Sequence, residues 1–222
     1  MKNITLRTGV ALACAFALAG CGSSNDNLIL RVNIISSSAI MAGLTLQNNN
    51  GAIKTVDAGS TYADMPDLVG EDTNFDIKIK SQPSNALCTL ENASGKTGAY
   101  SPNNIIARCV VYTFALGGNI TNLTTDGLIL SNGSVHKDIP HTSTVAGNVM
   151  PFDMTTPAVA ATTTTPAVAE SGKVAEGQPY GVLIFAQPTQ GGCSIQKDAA
   201  TGVSTGVGTM PAKAVDTIVI KC

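Results

Sequence analysis

The sequence predicts an all-β protein of two tandem β-sandwich modules with antiparallel sheets. Three observations predict it: apolar and polar residues alternate in several segments, the composition favours strands and turns, and one pattern of Gly, Gln and Cys occurs twice. Charged residues make up only 13% of the 222 residues, and 22 are Gly. No segment beyond the N-terminus has helical periodicity. We therefore expect short strands joined by tight turns.

Residues 1–20 have the pattern of a secretion signal. A short segment with two basic residues precedes an unbroken apolar run, Val10–Ala19, and Leu-Ala-Gly-Cys follows at 18–21. The run is too short to span a bilayer. These residues resemble the lipobox of bacterial lipoproteins, which implies cleavage just before Cys21 and diacylglycerol on its thiol. The alternative is an ordinary signal in which Cys21 is merely the first thiol of the exported chain.

The lipobox resemblance also implies a location. Residue 22 is Gly; in Gram-negative lipoproteins an Asp there marks retention in the inner membrane, so we expect the outer membrane, at its periplasmic face or at the cell surface. The usual three acyl chains, palmitate among them, anchor a protein lastingly, whereas one chain binds only marginally. Residues 21–27 would form the lipidated Cys and a short polar tether.

Signal cleavage changes the size and charge of the chain. It leaves 202 residues, enough for one large domain or two smaller ones. It removes Lys2 and Arg7, so 11 basic residues face 15 acidic ones, a net charge of −4. This balance lacks the basic footprint of a nucleic-acid-binding protein. No later stretch approaches eighteen apolar residues, so we expect membrane contact only through the N-terminal lipid.

Four cysteines remain once Cys14 has left with the signal and Cys21 carries lipid. They are Cys88, Cys109, Cys193 and Cys222. In an exported protein four thiols indicate two disulfides, for which three pairings are possible. A zinc site is the alternative, but the close Cys-x-x-Cys pairs that such sites use are missing from both halves.

An internal repeat selects one of the three pairings. Three segments occur twice in the same order, at 43–48 and 127–132, at 82–88 and 187–193, and at 105–109 and 218–222. The first begins with Gly-Leu, the second runs from Gln-Pro to Cys at identical spacing, and the third is an alternating strand that ends in a basic residue and Cys. The repeat therefore predicts module 1 (28–110) with a Cys88–Cys109 bridge and module 2 (111–222) with a Cys193–Cys222 bridge.

The two modules differ in one predicted strand and one insertion. Residues 75–80 (Phe-Asp-Ile-Lys-Ile-Lys) alternate and predict a half-buried strand, whereas their counterpart 180–185 is apolar on both faces, so we expect it to be more fully covered. Turns rich in Asn and Gly follow matched strands at 48–51 and 132–133. The Thr/Pro/Ala insertion near 155–169 predicts a mobile loop, either a recent duplication under little constraint or a recognition loop.

The whole repeat, residues 28–222, resembles the Cys-containing immunoglobulin-like modules that occur in tandem in proteobacterial envelope lipoproteins and surface proteins. The resemblance implies two immunoglobulin-like sandwiches and an envelope location. It implies no particular activity, since such modules serve as spacers, adhesive stalks and binding heads alike.

No catalytic, phosphate-binding or metal-binding motif is present in the sequence. His136 and His141, with Asp138 between them, are the two histidines, and we interpret them as a surface pair in a turn. An acidic cluster near one strand start lacks the spacing of a calcium loop, and its members are Glu71, Asp72 and Asp76. The sequence thus predicts no cofactor, no metal and no catalytic residue.

Two functional hypotheses follow. The first is a non-enzymatic outer-membrane lipoprotein with a structural, adhesive or envelope-assembly role, whose envelope or surface partner, protein or glycan, the sequence does not identify. The alternative is an exported enzyme or ligand-binding protein without a recognisable motif. That alternative requires a concave site that contains titratable groups with perturbed pKa values.

Overall fold

The computed structural model describes residues 28–98, 104–142, 148–158, 160 and 170–222. The named secondary-structure elements in these ranges are all β-strands, and the ranges contain no α-helix, so the predicted all-β class is confirmed. The described ranges also contain no helix long and apolar enough to cross a membrane. The predicted signal (1–20), Cys21 with its tether (21–27) and most of the insertion near 155–169 lie outside the described residues.

The described residues form eighteen strands, numbered here in chain order. They are β1 (Arg31–Ser36), β2 (Thr45–Asn48), β3 (Ile53–Thr55), β4 (Tyr62–Asp64), β5 (Asn74–Ser81), β6 (Ala86–Glu91), β7 (Ser94–Lys96), β8 (Ile105–Val111), β9 (Thr113–Phe114), β10 (Leu116–Thr121), β11 (Leu128–Asn132), β12 (Val135–Ile139), β13 (Val149–Asp153), β14 (Val174–Ala175), β15 (Pro179–Ala186), β16 (Ser194–Ile195), β17 (Val207–Thr209) and β18 (Val215–Lys221).

The two halves of the chain have the same sheet topology. In the first half the sheets have the strand orders β4-β1-β8-β6 and β3-β2-β5-β7, and in the second half β13-β10-β18-β16 and β12-β11-β15-β17. Each strand of the first half has its counterpart at the same place in the second. A two-stranded sheet, β9 with β14, lies outside this scheme. The sequence repeat is therefore also a repeat of topology.

Each pair of sheets encloses its own hydrophobic core. The first core contains buried residues from Leu30 to Val111, and the second contains buried residues from Leu116 to Ile220. Both sheets of a pair contribute: Val32 of β1 and Leu46 of β2 belong to the first core. Alternate residues of β8 are buried, as expected for a strand with one face on a core. The halves are thus β-sandwich-like, and apolar burial is their main source of stability.

One strand pair in each half differs from the purely antiparallel sheets that the sequence predicted. β1 runs parallel to β8, with Val32 opposite Ile105, and β10 runs parallel to β18, with Gly118 opposite Ile218. Parallel neighbours need a long connection. The first and last strands of a half have one, because the other strands of that half lie between them in sequence. Alternation predicts a strand but not its direction, so this part of the prediction was wrong.

The structure confirms the turns and corrects the predicted burial of residues 180–185. Asn49 after β2 and Gly133 between β11 and β12 have positive φ angles of 49° and 59°, which tight hairpin turns require. β15, however, has one exposed face: Leu183 is 60% exposed and Phe185 is 65% exposed. The second face is exposed because no described segment packs over it, and its apolar composition was therefore a misleading signal of burial.

Gly118 permits the close approach of the first and last strands of the second half. The register between β10 and β18 shifts between Leu116 and Gly118. A Cβ atom on Gly118 would contact the carbonyl oxygen of Ile218 and lie 2.6 Å from its carbonyl carbon. Because these are backbone atoms of a paired strand, they cannot turn aside as a side chain could.

We expect Gly118→Ala to lower the free energy of unfolding by about 1–3 kcal/mol, the usual cost of overpacking. The measurement is denaturant unfolding with the disulfides intact. Gly181→Ala in β15 is the matched control, because a Cβ there would meet no atom within 4 Å, and it should change stability by less than about 0.5 kcal/mol. Equal stability of the two variants would contradict the close approach of β18 to Gly118.

Candidate functional site

The repeated Gln and Cys residues meet in each half in what we term the Gln–Cys clamp. The Gln82 side chain donates from Nε2 to the Cys88 carbonyl oxygen (3.0 Å), and the Cys88 N–H donates to Gln82 Oε1 (2.8 Å). Gln187 makes the same two bonds to Cys193, at 3.1 and 2.7 Å. One side-chain amide thus supplies the donor and the acceptor that a neighbouring strand would otherwise supply. This pairing explains the identical Gln-to-Cys spacing in both copies.

The clamped cysteine belongs to a disulfide in both halves. Cys88 is bonded to Cys109, and Cys193 is bonded to Cys222. These are the pairings that the repeat predicted, and they leave none of the four thiols free for zinc. Cys88 and Cys109 also lie opposite each other on β6 and β8. In the chain-entropy model each bridge stabilises the fold by roughly 3–4 kcal/mol.

The repeated Gly lies against the clamp segment. Gly43 and Gly127 have positive φ angles of 117° and 101°, a conformation that only Gly adopts at low cost. A Cβ on Gly43 would lie 3.3 Å from the Gln82 carbonyl oxygen, so the chain passes close to the clamp there. The Leu that follows each Gly is fully buried. The three repeated residues, Gly, Gln and Cys, therefore lie close together and stabilise the same part of each half.

The structure does not bring the two histidines and their neighbouring acid together as a site. His136 and Asp138 lie in strand β12 rather than in the predicted turn, because Gly133 closes a tight turn and β12 begins at Val135. His141 lies beyond β12, where its backbone N–H donates to an Asp126 carboxylate oxygen (2.6 Å). Within the described ranges, no group of three or more His, Cys, Asp or Glu side chains is placed to hold a metal ion.

The acidic cluster lies at the surface with lysines beside it. Asp72 Oδ1 is 3.1 Å from Lys96 Nζ, and Asp76 Oδ2 is 3.0 Å from Lys78 Nζ. Both pairs are largely exposed, and exposed pairs contribute little to stability. The carboxylates of Asp72 and Asp76 are therefore partners of lysines in the described structure.

A shallow cleft of about 300 Å³ lies where the two halves meet. Loops of the first half (Ala39–Met41 and Ala58–Gly59) form one wall, and Glu176–Gln178 form the other. Glu176 carries the one titratable side chain of this lining. The cleft thus offers mostly backbone and small side chains, with little to orient a small ligand.

Asn85 joins the cleft wall to the connection between the halves, and no pattern in the sequence had singled it out. Its side chain is fully buried. The Met41 N–H donates to Asn85 Oδ1 (2.7 Å), and Asn85 Nδ2 donates to the Ala39 carbonyl oxygen (3.1 Å). Its own carbonyl oxygen accepts from the Tyr112 N–H (2.9 Å). Asn85 therefore positions the first-half loop beside the segment that leads into β9.

Two arginine–carboxylate pairs lie on the outer face of the sheet that contains β8. Arg108 Nε lies 2.8 Å from one Glu91 oxygen, and Arg31 Nε lies 2.6 Å from one Asp64 oxygen. Each arginine donates a second bond to the other carboxylate oxygen. The hydrogen bond from Arg108 holds the pKa of Glu91 below its usual value, and that from Arg31 does the same to the pKa of Asp64.

These observations define the class of protein: an all-β chain of two topologically identical, disulfide-bonded, β-sandwich-like halves. No protein-family model and no curated protein matches the sequence. Among solved structures the chain is similar to the Bacillus anthracis TIE protein, at 12% sequence identity and a TM-score of 0.40. The similarity covers 87% of this chain and 33% of that one, so this chain spans about a third of its length. A likeness of this degree says nothing about activity.

Gln187→Ala is expected to lower the free energy of unfolding by about 1 kcal/mol, because the Cys193 N–H and carbonyl oxygen lose their partner. The measurement is urea unfolding with the disulfides intact. Gln190→Ala is the control: its side chain is exposed and three positions further on, and its removal should change stability by less than about 0.5 kcal/mol. A Gln187→Ala variant no less stable than the control would show that the clamp contributes nothing.

Arg108→Gln is expected to raise the pKa of Glu91 towards its ordinary value, because it removes the hydrogen bond that favours the carboxylate. NMR titration of the side-chain carboxyl measures this shift. Since the folded-state pKa lies below the unfolded one, the stabilisation is present above the unfolded pKa and is lost as the pH falls through the folded pKa. Arg31→Gln should instead raise the pKa of Asp64 and leave the pKa of Glu91 unchanged. A Glu91 pKa that does not respond to Arg108→Gln would refute this cause.

Proposed function

We propose that the protein is a non-enzymatic lipoprotein of the bacterial outer membrane. Acyl chains on Cys21 would anchor it, and residues 28–222 would form two immunoglobulin-like sandwiches that make structural, adhesive or envelope-assembly contacts. The contact partner would be an envelope or surface protein or a glycan.

The observation that carries this proposal is that the residues repeated in both halves all have structural roles. The Gln–Cys clamp, the disulfide and the positive-φ Gly all hold a sandwich together. What the two halves share is therefore a stable β unit, and their outer faces are free to differ. Spacer and adhesive modules have this property, because their contacts lie on the surface of a constant scaffold.

The disulfides support an exported location. Disulfides persist in the periplasm and at the cell surface and are rare in the reducing cytosol. The two bridges therefore fit the secretion signal predicted at residues 1–20. The lipobox resemblance at 18–21 then adds the anchor.

The sheet pairing fits the immunoglobulin-like part of the proposal, whereas the position of the disulfide differs from that of immunoglobulin domains. Two sheets enclose one core, and β2 pairs with β5 as strand B pairs with strand E in immunoglobulin sheets. The bridge lies in a different place, because Cys88 and Cys109 belong to neighbouring strands of one sheet rather than to two sheets. The disulfide would thus staple the last strand to its neighbour rather than one sheet to the other.

The short connection supports a stiff arrangement of the two sandwiches. β8 ends at Val111 and β9 begins at Thr113. β9 pairs with β14, and the Glu176 N–H donates to the Tyr112 carbonyl oxygen (2.9 Å). A connection held by strand pairing restricts the relative movement of the two sandwiches more than a flexible linker does.

Cys21→Ser is expected to abolish incorporation of labelled palmitate and to release the protein from the membrane fraction, because the thiol that accepts the lipid is gone. Cys14→Ser is the matched control: this thiol lies inside the proposed signal, so labelling and fractionation should persist. Undiminished labelling of the Cys21→Ser variant would remove the lipoprotein part of the proposal. Crosslinking in cells, with identification of the captured neighbours, tests the contact role.

A further inference from the structure

Met41 is half-buried, whereas the other methionines of the described ranges are buried. Those ranges contain five of the six methionines of the chain. Four of the five belong to the hydrophobic cores, namely Met65, Met150, Met154 and Met210. Met41 instead lines the cleft between the two halves. Because oxidants reach exposed thioethers first, the sulfur of Met41 is the one that can react while the protein stays folded.

The Met41 side chain packs across the junction between the halves. Its methyl group lies where any residue other than Gly would place a Cβ at position 177, and its sulfur is 3.9 Å from that place. Gly177 also has a positive φ angle of 79°. The Met41 N–H donates to the Asn85 side chain, which fixes the start of this contact. A side chain of the first half therefore lies directly on the backbone of the second.

The backbone segment that Met41 contacts holds the second half to the connection. The Glu176 N–H donates to the Tyr112 carbonyl oxygen (2.9 Å), and the Gly177 N–H donates to the Met210 carbonyl oxygen (2.9 Å). Ala175, the preceding residue, packs against the core of the first half. The packing of Met41 therefore adds apolar contact to a short run of hydrogen bonds at the junction.

No thiol of the described ranges competes with Met41 for an oxidant. All four cysteines there are in disulfides, whereas a thiolate is the sulfur group that oxidises most readily. Ser84 Oγ lies 3.6 Å from Met41 Sδ and donates to it. This weak hydrogen bond uses one lone pair of the thioether and leaves the other free. The Met41 sulfur is therefore both accessible and nucleophilic.

We propose that Met41 is an oxidation site and that its oxidation to methionine sulfoxide loosens the junction between the halves. The oxidant is a peroxide. A lone pair of Met41 Sδ attacks one peroxide oxygen, so that an S–O bond forms and the O–O bond breaks. With hydrogen peroxide, the released hydroxide takes the proton of the transferred oxygen and leaves as water. The sulfur is oxidised by the electron pair that the peroxide gains.

The sulfoxide differs from the thioether in polarity. Oxidation turns a flexible apolar side chain into a polar, chiral one and weakens the contacts that methionine makes at interfaces. At Met41 the new oxygen is bonded to the atom that carries the methyl group on Gly177, so its hydration competes with that packing. The methionines of the two cores are buried and keep their thioethers. Oxidation therefore changes the junction and leaves each sandwich folded.

The first test maps which methionine hydrogen peroxide oxidises. The full-length protein, in a peroxide-free glycoside detergent, is treated with limiting peroxide, and its peptides are weighed for the gain of about 16 Da that one oxygen atom adds. Met41 should be oxidised at least about tenfold faster than the four buried methionines. In urea, with the disulfides intact, all five should react at similar rates, because burial no longer protects them. Equal rates in the folded protein would overturn the proposal.

The second test measures opening of the junction by amide hydrogen exchange. Oxidation should accelerate exchange of the Glu176 N–H about tenfold, the order expected when the packing of one apolar side chain is lost. The Ile77 N–H is the internal control, because it donates to the Ala93 carbonyl oxygen (2.8 Å) within the first half. Its exchange should not change.

Three variants separate oxidation of Met41 from damage elsewhere. Met41→Leu keeps the apolar volume but has no sulfur, so peroxide should leave its Glu176 exchange unchanged. Met65→Leu, at a buried methionine, is the matched control and should respond to peroxide as the wild type does. Met41→Gln carries a polar group on a chain of similar length and should show fast exchange without peroxide.

Two results would overturn the effect on the junction. One is a protein whose Met41 is oxidised while its Glu176 exchange is unchanged. The other is a Met41→Leu variant in which peroxide accelerates that exchange as much as in the wild type. None of these outcomes depends on lipid at Cys21.

Discussion

The last strand of each half is the element on which the rest of that half depends. β8 lies between β1 and β6, and β18 lies between β10 and β16, so neither sheet is complete until the end of its half has been added. On one side the last strand pairs in parallel with the first strand of the half. On the other side a disulfide ties it to the edge strand, between β6 and β8 in the first half and between the residues next to β16 and β18 in the second. Such long-range pairing has a high entropic cost. The bridge reduces this cost by restricting the unfolded chain.

The Gln–Cys clamp acts at the same edge of the sheet as the disulfide. The first cysteine of each bridge lies in an edge strand or directly before one: Cys88 is in β6, and Cys193 precedes β16. Gln82 and Gln187 give the cysteine backbone its two hydrogen-bond partners on the side where no strand pairs with it. The clamp therefore orders the edge of the sheet at the point where the bridge begins. Gly and Gln recur with Cys because all three residues act at this sheet edge.

Much of this structure was predicted from the sequence, and the predictions that were wrong failed for physical reasons. Alternation found the strands and the repeat found both bridges, because each depends on residues close in sequence or on a duplicated pattern. The direction of β1 against β8 was missed, since a period of two is the same for parallel and antiparallel strands. Asn85 gave no signal either, because its role arises from three segments that meet only in the folded chain.

By itself the sequence determined the all-β class, the twofold repeat and the disulfide pairing, because these follow from local periodicity and from residue identity at matched positions. Only the tertiary structure decided which faces are covered. Tyr180–Phe185 is apolar throughout, yet Leu183 and Phe185 face outward, whereas Lys78 and Lys80 mark the matching face as exposed in the sequence itself. Burial depends on what packs over a strand, and a strand's own residues do not contain that information.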